Sequence, residues 1–240
     1  MDQTSTLLTR GVAELIVEAE IRARLALGRP LRLKQGFDPT RPDLHLGHAV
    51  GLRKLRAFQE AGHQVVLIVG DWTARIGDPS GRDTSRPPLD AEVVRANAET
   101  YMEQFFLIVD RQHTEVRWQS EWYGSFDLAR LMALAGRFTL AQMLAHETFR
   151  RRHERGEAVS MLELLSPMLQ GYDSVIVKAD IEFGGTDQKF NILAGRELMT
   201  HLGMTPQGVL LTPLIPGIDG RKMSKSFHNT IDLRLAPFEM

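Results

Sequence analysis

The 240-residue chain contains no cysteine, which removes disulfides, thiolate metal sites and cysteine nucleophiles together. It also lacks a charge excess: 29 Lys and Arg against 30 Asp and Glu leave a formal net charge of −1. No global basic field therefore announces nucleic acid. Any RNA contact has to rest on a local patch such as "FRRRHER", Phe149 to Arg155, whose plain alternative is a solvated helix face. No window approaches the ~18 consecutive apolar residues of a membrane span. The amino-terminal stretch carries Asp2 and no long apolar run, so it reads as neither signal peptide nor anchor. A cytoplasmic protein without membrane contact is the expectation. What the chain does have is an ordinary globular balance, 43% hydrophobic and 25% charged residues, and enough length to bury a core without staples.

Hydrophobic spacing organises the chain. Leu8, Val12, Leu15, Ile16 and Ile21 recur at near-helical intervals and predict a helix over 5–26, stopped by Gly28 and Pro30. "PLRLKQGF" alternates apolar and polar residues and predicts a strand ending at Gly36. Leu46, Ala49, Val50, Leu55 and Phe58 form one helical stripe that ends at Gly62, and "QVVLIVG" then reads as a buried parallel strand. The polar loop "DWTARIGDPSGRDTSRPPLD" is too long to be a mere connector. Helices are expected near 90–108, 126–136, 139–155 and 160–172, with short strands at "EVRW" and "VLLTPLI". No internal repeat or low-complexity tract interrupts them. The pattern is α/β: one unit over 1–240, a parallel sheet flanked by helices, with a mostly helical insertion from about 120 to 175.

In open parallel sheets ligands collect outside the carboxyl ends of the strands. "GFDPT", "GDWT" and "FGGTDQ" all follow predicted strands, so the unusual residues share one rim. There, His45 and His48 straddle Gly47 where a helix begins. Unpaired N–H groups and the dipole at that end favour phosphate. The i, i+3 spacing turns both imidazoles to one side, and Gly47 leaves room for a flat ring or a ribose. A capped helix start and half a zinc site are the alternatives, but zinc needs a third ligand that neither a cysteine nor an HExxH pattern supplies. "DGRKMSKSFHN" crowds Arg221, Lys222 and Lys225 onto a segment preceded by Gly217 and Gly220. Alone it is a solvated loop; paired with a phosphate-binding helix start, it suits a clamp on a polyphosphate leaving group. Gln170 and Asp173 in "PMLQGYD" can grip an amino group or a hydroxyl, or can cap a helix end. Gly184–Gly185 is a tight turn, or, with Asp187, a holder for a ribose hydroxyl.

Together these pieces resemble one family. "HLGH" at 45–48 and "KMSKS" at 222–226 resemble the HIGH and KMSKS motifs of class I aminoacyl-tRNA synthetases. "GFDPT", "GDPSGR", "LQGYD" and "GGTDQ" are similar to bacterial tyrosyl-tRNA synthetases, with the tryptophanyl enzymes as near relatives. The resemblance runs from about residue 30 to the end. It implies a Rossmann-like catalytic domain that activates L-tyrosine with ATP, brought as its Mg²⁺ complex, and passes the tyrosyl group to tRNA(Tyr). No tightly bound protein metal is implied. Thr40 and His45 match the positions that stabilise the γ-phosphate in the transition state, His48 the one near the ribose, and Asp38 lies beside the α-phosphate. Lys222 and Lys225 match the lysines that hold pyrophosphate, and Arg82 and Arg86 further basic groups. Asp78 and Gln170 match contacts to the tyrosine ammonium, and Asp173 the acceptor of its phenol. Asp187 and Gln188 match ribose and amino-acid contacts. Gly36, Gly47, Gly184 and Met223 complete the implied ATP site; Gly36 and Ser166 complete the amino-acid site.

The resemblance also implies a homodimer through the helical insertion, where "LARLMALAGRFTLAQML" offers an apolar surface. The family continues into anticodon-binding and RNA-binding domains that are absent from this chain, which stops fourteen residues after Ser226. Activation is therefore expected to outlast efficient tRNA charging. Lys34 and Ser166 stand where many members carry tyrosines, which keeps a tryptophan- or other amino-acid-activating paralogue as the alternative. An RNA-binding scaffold, cued by the arginines of 150–155, is the non-catalytic one.

Overall fold

The apolar run after Gly62 lies within a six-stranded sheet, in a computed structural model that describes residues 3–76, 89–236 and 238. In chain order the elements are α1 (Gln3–Thr9), β1 (Glu14–Ile16), α2 (Glu18–Leu25), β2 (Arg32–Phe37), α3 (Leu46–Glu60), β3 (Gln64–Val69), α4 (Thr73–Ile76), α5 (Ala91–Phe105), β4 (Thr114–Trp118), α6 (Ser120–Tyr123), α7 (Leu128–Ala135), α8 (Leu140–Met143), α9 (Glu147–Glu154), α10 (Met161–Val177), β5 (Ile181–Gly185), α11 (Lys189–His201) and β6 (Gly208–Thr212). The strand order is β1-β6-β5-β2-β3-β4. Every pairing is parallel except β1 with β6, where Glu14–Ile16 runs antiparallel to Val209–Leu211.

The alternation of β3 explains its continuous apolar sequence. Val65 and Leu67 pack with Leu52, Leu55, Phe58 and Phe105 on one face of the sheet. Val66 and Ile68 pack with Leu164, Met168 and Leu169 on the other. A strand covered on both faces has no polar side to show, and each such buried side chain stabilises the fold by roughly 1.5–3 kcal/mol. In α3 the buried stripe runs through Ala49, Leu52, Leu55 and Phe58, while Leu46 and Val50 are only half-buried. Gly62, with φ +90°, reverses the chain after α3 by the left-handed turn that glycine takes without strain.

The amino terminus corrects the single helix expected over 5–26. Gly11 at φ +69° and Val17 at φ 57° break it, and residues between them join the sheet. Val12, Leu15 and Ile16 suit a strand as well as a helix, and pairing with β6 covers an otherwise open edge. The sheet is accordingly mixed at that edge, not wholly parallel. The helix expected over 139–155 is two helices, since His146 caps a new start by accepting the Thr148 N–H at 3.2 Å. Helix α10 continues five residues beyond its expected end, and α11 arises where no element was expected. Five helices, α6 to α10, fill the chain between β4 and β5. Phe149 and Arg152 of the "FRRRHER" patch are buried, Arg152 against Glu163 at 2.8 Å, while Arg150, His153 and Arg155 are exposed, so that segment is a helix with one solvated face and not a continuous basic surface.

Strand order reverses between β2 and β5, and this switch point sets the position of the cleft. Among the described residues, no helix is long and apolar enough to cross a membrane.

Candidate active site

A cleft of about 700 Å³ opens at the carboxyl ends of β2, β3, β5 and β6. Gly36 and Asp38 come from the end of β2, Gly184 and Asp187 from the end of β5, and His45, Gly47 and His48 from the start of α3. The α10 helix contributes Ser166, Gln170 and Asp173, and the late loop contributes Lys222, Met223 and Lys225. Thr40 and Gln188 also line it. Thus the cleft gathers every described residue to which the resemblance gives a catalytic or binding part, whereas Arg221 and Lys34 do not line it. Asp78, Arg82 and Arg86 lie outside the described residues.

The two histidines both cap α3 and face the cleft. His45 Nδ1 accepts the Gly47 N–H at 3.1 Å, and His48 Nδ1 accepts the His45 N–H at 3.1 Å, a reciprocal capping box. A Cβ on Gly47 would stand 2.8 Å from the His45 ring, so only glycine lets that ring fold back over the first turn. Burial, reinforced by Lys225 and Lys222, lowers the His45 pKa to about 4. Burial first, and then its neighbour His45, holds His48 well below its usual value too. Both rings are therefore neutral at pH 7. With each Nδ1 occupied as an acceptor, the ring proton sits on Nε2, leaving an N–H donor on each imidazole. The capped helix start and the cleft-facing pair are the same structure, not alternatives.

The late loop is stitched to this helix start. Leu46 donates its N–H to the Ile231 carbonyl and Leu233 donates to Leu44, both at 2.9 Å, so the segment that follows the lysine motif is tied by its main chain to the helix start. Buried Asn229 staples the loop: its amide donates to Asp219 at 2.7 Å and to the Lys222 carbonyl at 3.0 Å, and its oxygen accepts the Ser224 N–H at 2.8 Å. Lys222 Nζ meets Asp187 Oδ2 at 2.5 Å. Lys225 Nζ donates to the Tyr101 hydroxyl at 2.7 Å and lies 4.7 Å from that ring's centroid. Burial lowers the Lys225 pKa to about 8, against the pull of Asp43 and Asp232.

The opposite end is a buried carboxyl. Asp173 is 2% exposed and receives Gln119 Nε2 at 2.7 Å, Trp122 Nε1 at 3.1 Å and the Tyr123 hydroxyl at 3.2 Å. Burial pushes its pKa up to about 7, opposed chiefly by Lys34 and by the Gln119 hydrogen bond. Gln170 and Asp173 sit in the body of α10, three or more residues before its last residue Val177, which removes the helix-end capping alternative.

Sequence reasoning missed several residues of this wall. Tyr101 carries Lys225, Gln119 holds both Asp173 and the Thr73 main chain, and Gln35 leaves a buried Oε1 without a partner. No local motif marks them, because Tyr101 and Gln119 act on residues far away in the chain and Gln35 shows its orphaned atom only once the cleft is folded. Among the described residues, no group of three or more His, Asp or Glu is placed to hold a metal ion.

A Rossmann-like sheet, a histidine-capped helix and a lysine-bearing loop on one cleft define a class I synthetase core. The family model described as "tRNA synthetases class I (W and Y)" matches residues 26–239, and the chain belongs to that family. The curated relatives that the chain matches are tyrosine–tRNA ligases. The tyrosine–tRNA ligase of Dehalococcoides mccartyi strain CBDB1 is 60% identical over 240 residues, which is all of this chain and 61% of the relative. That of Oleidesulfovibrio alaskensis is 52% identical, with the same share of its length covered. The chain thus spans about 61% of the length of these relatives. Among solved structures, the tyrosyl-tRNA synthetase of Archaeoglobus fulgidus, complexed with L-tyrosine, superposes with a TM-score of 0.79 at 26% identity, covering 99% of this chain and 72% of that one. The Aeropyrum pernix enzyme shares the fold, with a TM-score of 0.78 at 24% identity over 98% of this chain and 70% of that one.

Proposed function

We propose that the chain activates L-tyrosine with MgATP to give tyrosyl-adenylate and pyrophosphate, and that the tyrosyl group then passes to the terminal ribose of tRNA(Tyr). The observation that carries this reading is the polarity of the cleft, with a buried carboxyl at one end and two lysines near a helix start at the other. The close relatives are tyrosine–tRNA ligases, and the archaeal structure is complexed with L-tyrosine, which supports tyrosine as the amino acid.

In activation, a carboxylate oxygen of tyrosine attacks the α-phosphorus, the bond to the β-phosphate bridging oxygen breaks, and pyrophosphate leaves. The carboxylate is already ionised at neutral pH, so no general base is needed. Rate then comes from alignment and from stabilising charge on the leaving group. Thr40 and the Nε2–H of His45 serve the outer phosphates, and His48 serves the nucleoside beside Gly47. Lys222 leaves Asp187, and Lys225 leaves Tyr101, to follow the departing pyrophosphate; Asp187 is thereby released for the ribose. Arg82 and Arg86 add positive charge, and Mg²⁺ arrives with ATP as substrate. Gln170 and Asp78 take the ammonium, with Ser166 beside them, and Gln188 takes the amino-acid carboxylate side. Asp173 pairs with the phenol. A site built to bond a hydroxyl rejects the analogue lacking it, because its own polar group is stranded, a rule for which tyrosyl-tRNA synthetases are themselves a standard illustration.

Two copies pair through the helical segment in this reading. Leu128, Met132, Leu140 and Met161 are between 61% and 78% exposed there, apolar surface that a symmetric partner covers. The protein works in the cytoplasm. Tyrosine-dependent exchange of labelled pyrophosphate into ATP, run against all twenty amino acids, tests the activation step. Exchange with tyrosine is expected; exchange with tryptophan alone, or with none, overturns it.

A further inference from the structure

Lys34 of β2 is fully buried, 0% exposed, and its ammonium turns away from solvent into the seam between the sheet and α10. Nζ donates to three acceptors: Glu182 Oε1 at 2.7 Å, Ser174 Oγ at 2.8 Å and the Gln170 carbonyl at 2.9 Å. The register sets Lys34 directly opposite Glu182, which is itself 1% exposed. Glu182 Oε2 in turn accepts from Ser174 Oγ at 2.9 Å and from Gln207 Nε2. The result is a buried network of paired charges joining β2, β5, α10 and the start of β6.

Such a pair needs a reason beyond stability, since apolar residues of equal volume usually serve a core as well. Its attachment points supply one. Gln170 and Ser174 bracket a single turn of α10, and Asp173 lies within that turn. Holding both ends of the turn fixes its rotation over the sheet. On the far side, Gly171 brings the α10 backbone against α11 so closely that an added Cβ would stand 3.0 Å from the Gly195 nitrogen. The turn is therefore gripped from both sides.

We propose that Lys34 is a positioning residue for the amino-acid end of the cleft, fixing the turn of α10 that presents Gln170 and Asp173 and supplying the positive field in which the Asp173 carboxyl operates. This deepens the tyrosine-activation reading and rests on it. The groups facing Asp173 are Lys34 from β2, Glu182 from β5, Gln119 ahead of α6, and Trp122 and Tyr123 from α6. Lys34 and the hydrogen bonds of Gln119 and Tyr123 favour the carboxylate, whereas burial and Glu182 oppose it.

The paired substitution Lys34→Met with Glu182→Leu removes the network without stranding a charge, and urea unfolding checks that it folds; Lys34→Met alone is the harsher companion. In pyrophosphate exchange, the folded double variant is expected to raise the KM for tyrosine roughly tenfold, the scale of one lost charged hydrogen bond, with the KM for ATP unchanged. A second readout needs no substrate. The Trp122 indole N–H bonds Asp173, so its ¹⁵N–¹H resonance follows that carboxyl through a pH titration. Its midpoint is expected to move up in pH in the double variant, because Lys34 acts on Asp173 more strongly than Glu182 opposes it. A folded double variant whose indole midpoint stays at the wild-type value overturns the proposal, whatever the kinetics. Failure of the functional reading is separate: wild-type protein then exchanges no pyrophosphate, while the indole titration still decides the role of Lys34.

Discussion

The two ends of the cleft solve opposite problems. At the end proposed for the amino acid, Asp173, Lys34 and Glu182 are almost wholly buried, and their hydrogen bonds run to elements of the core. At the end proposed for the phosphates, Lys222 keeps about a third of its side chain in solvent, and Lys222 and Lys225 each rest on one partner in the cleft wall. A fixed network suits a ligand group whose charge never changes. Loop-borne lysines suit a group whose charge grows and which then departs. Neutral histidines at the helix start add donors beside the lysines without adding charge.

Substitutions should fall on stability at one end and on rate at the other. Lys34→Ala strands Glu182 in the core and is expected to cost roughly 3–5 kcal/mol of unfolding free energy, read by urea denaturation. Lys225→Ala should leave the denaturation midpoint in place and slow pyrophosphate exchange about 10²- to 10³-fold; a midpoint shift with unchanged exchange would reverse the comparison. The middle ground shows in acid. His45 has a folded pKa near 4, below its unfolded 6.5, so its contribution is intact above pH 6.5 and is lost as the pH falls through 4. That loss is worth up to roughly 3 kcal/mol, and a His45→Asn variant should show a flatter stability–pH curve over that window. Asn229→Ala should cost about 1–3 kcal/mol by releasing the loop's staple, visible as faster amide exchange at Ser224. The smallest effect belongs to Tyr101→Phe, which keeps the ring under Lys225 and removes one hydrogen bond. A change of about fivefold in the KM for ATP is expected, with the KM for tyrosine unmoved.

What the sequence revealed depended on how local each signal was. The helix start at His45 and the turn at Gly62 are written within a few residues, and both were legible. So was β3, because an apolar run bounded by glycines has few other uses. The amino terminus misled because Leu8, Val12, Leu15 and Ile16 satisfy helical spacing if Gly11 is ignored; the competing gain, an edge of β6 to cover, is nearly two hundred residues away. Helix α11 went unassigned, its pattern diluted by Asn191 and by the Gly195 that lets α10 approach. In the cleft the short motifs were readable, but their supports were not. Gln119 and Asp173 are 54 residues apart, Lys225 and Tyr101 are 124 apart, and Lys34 and Glu182 are 148 apart. Lys34 stood out only as an unusual residue for its place; its work is visible once β2 and β5 lie side by side.

The brief strand Glu14–Ile16 has a consequence for colloidal behaviour. It covers β6, whose five residues Gly208–Thr212 are all buried. Without that cover, Val209, Leu210 and Leu211 would present a bare, sticky ladder to any neighbouring chain. Trimming the first sixteen residues would spare every side chain of the cleft and leave the sheet free to add strands from other molecules. The first symptom of that loss would be turbidity in the tube, ahead of any change in turnover.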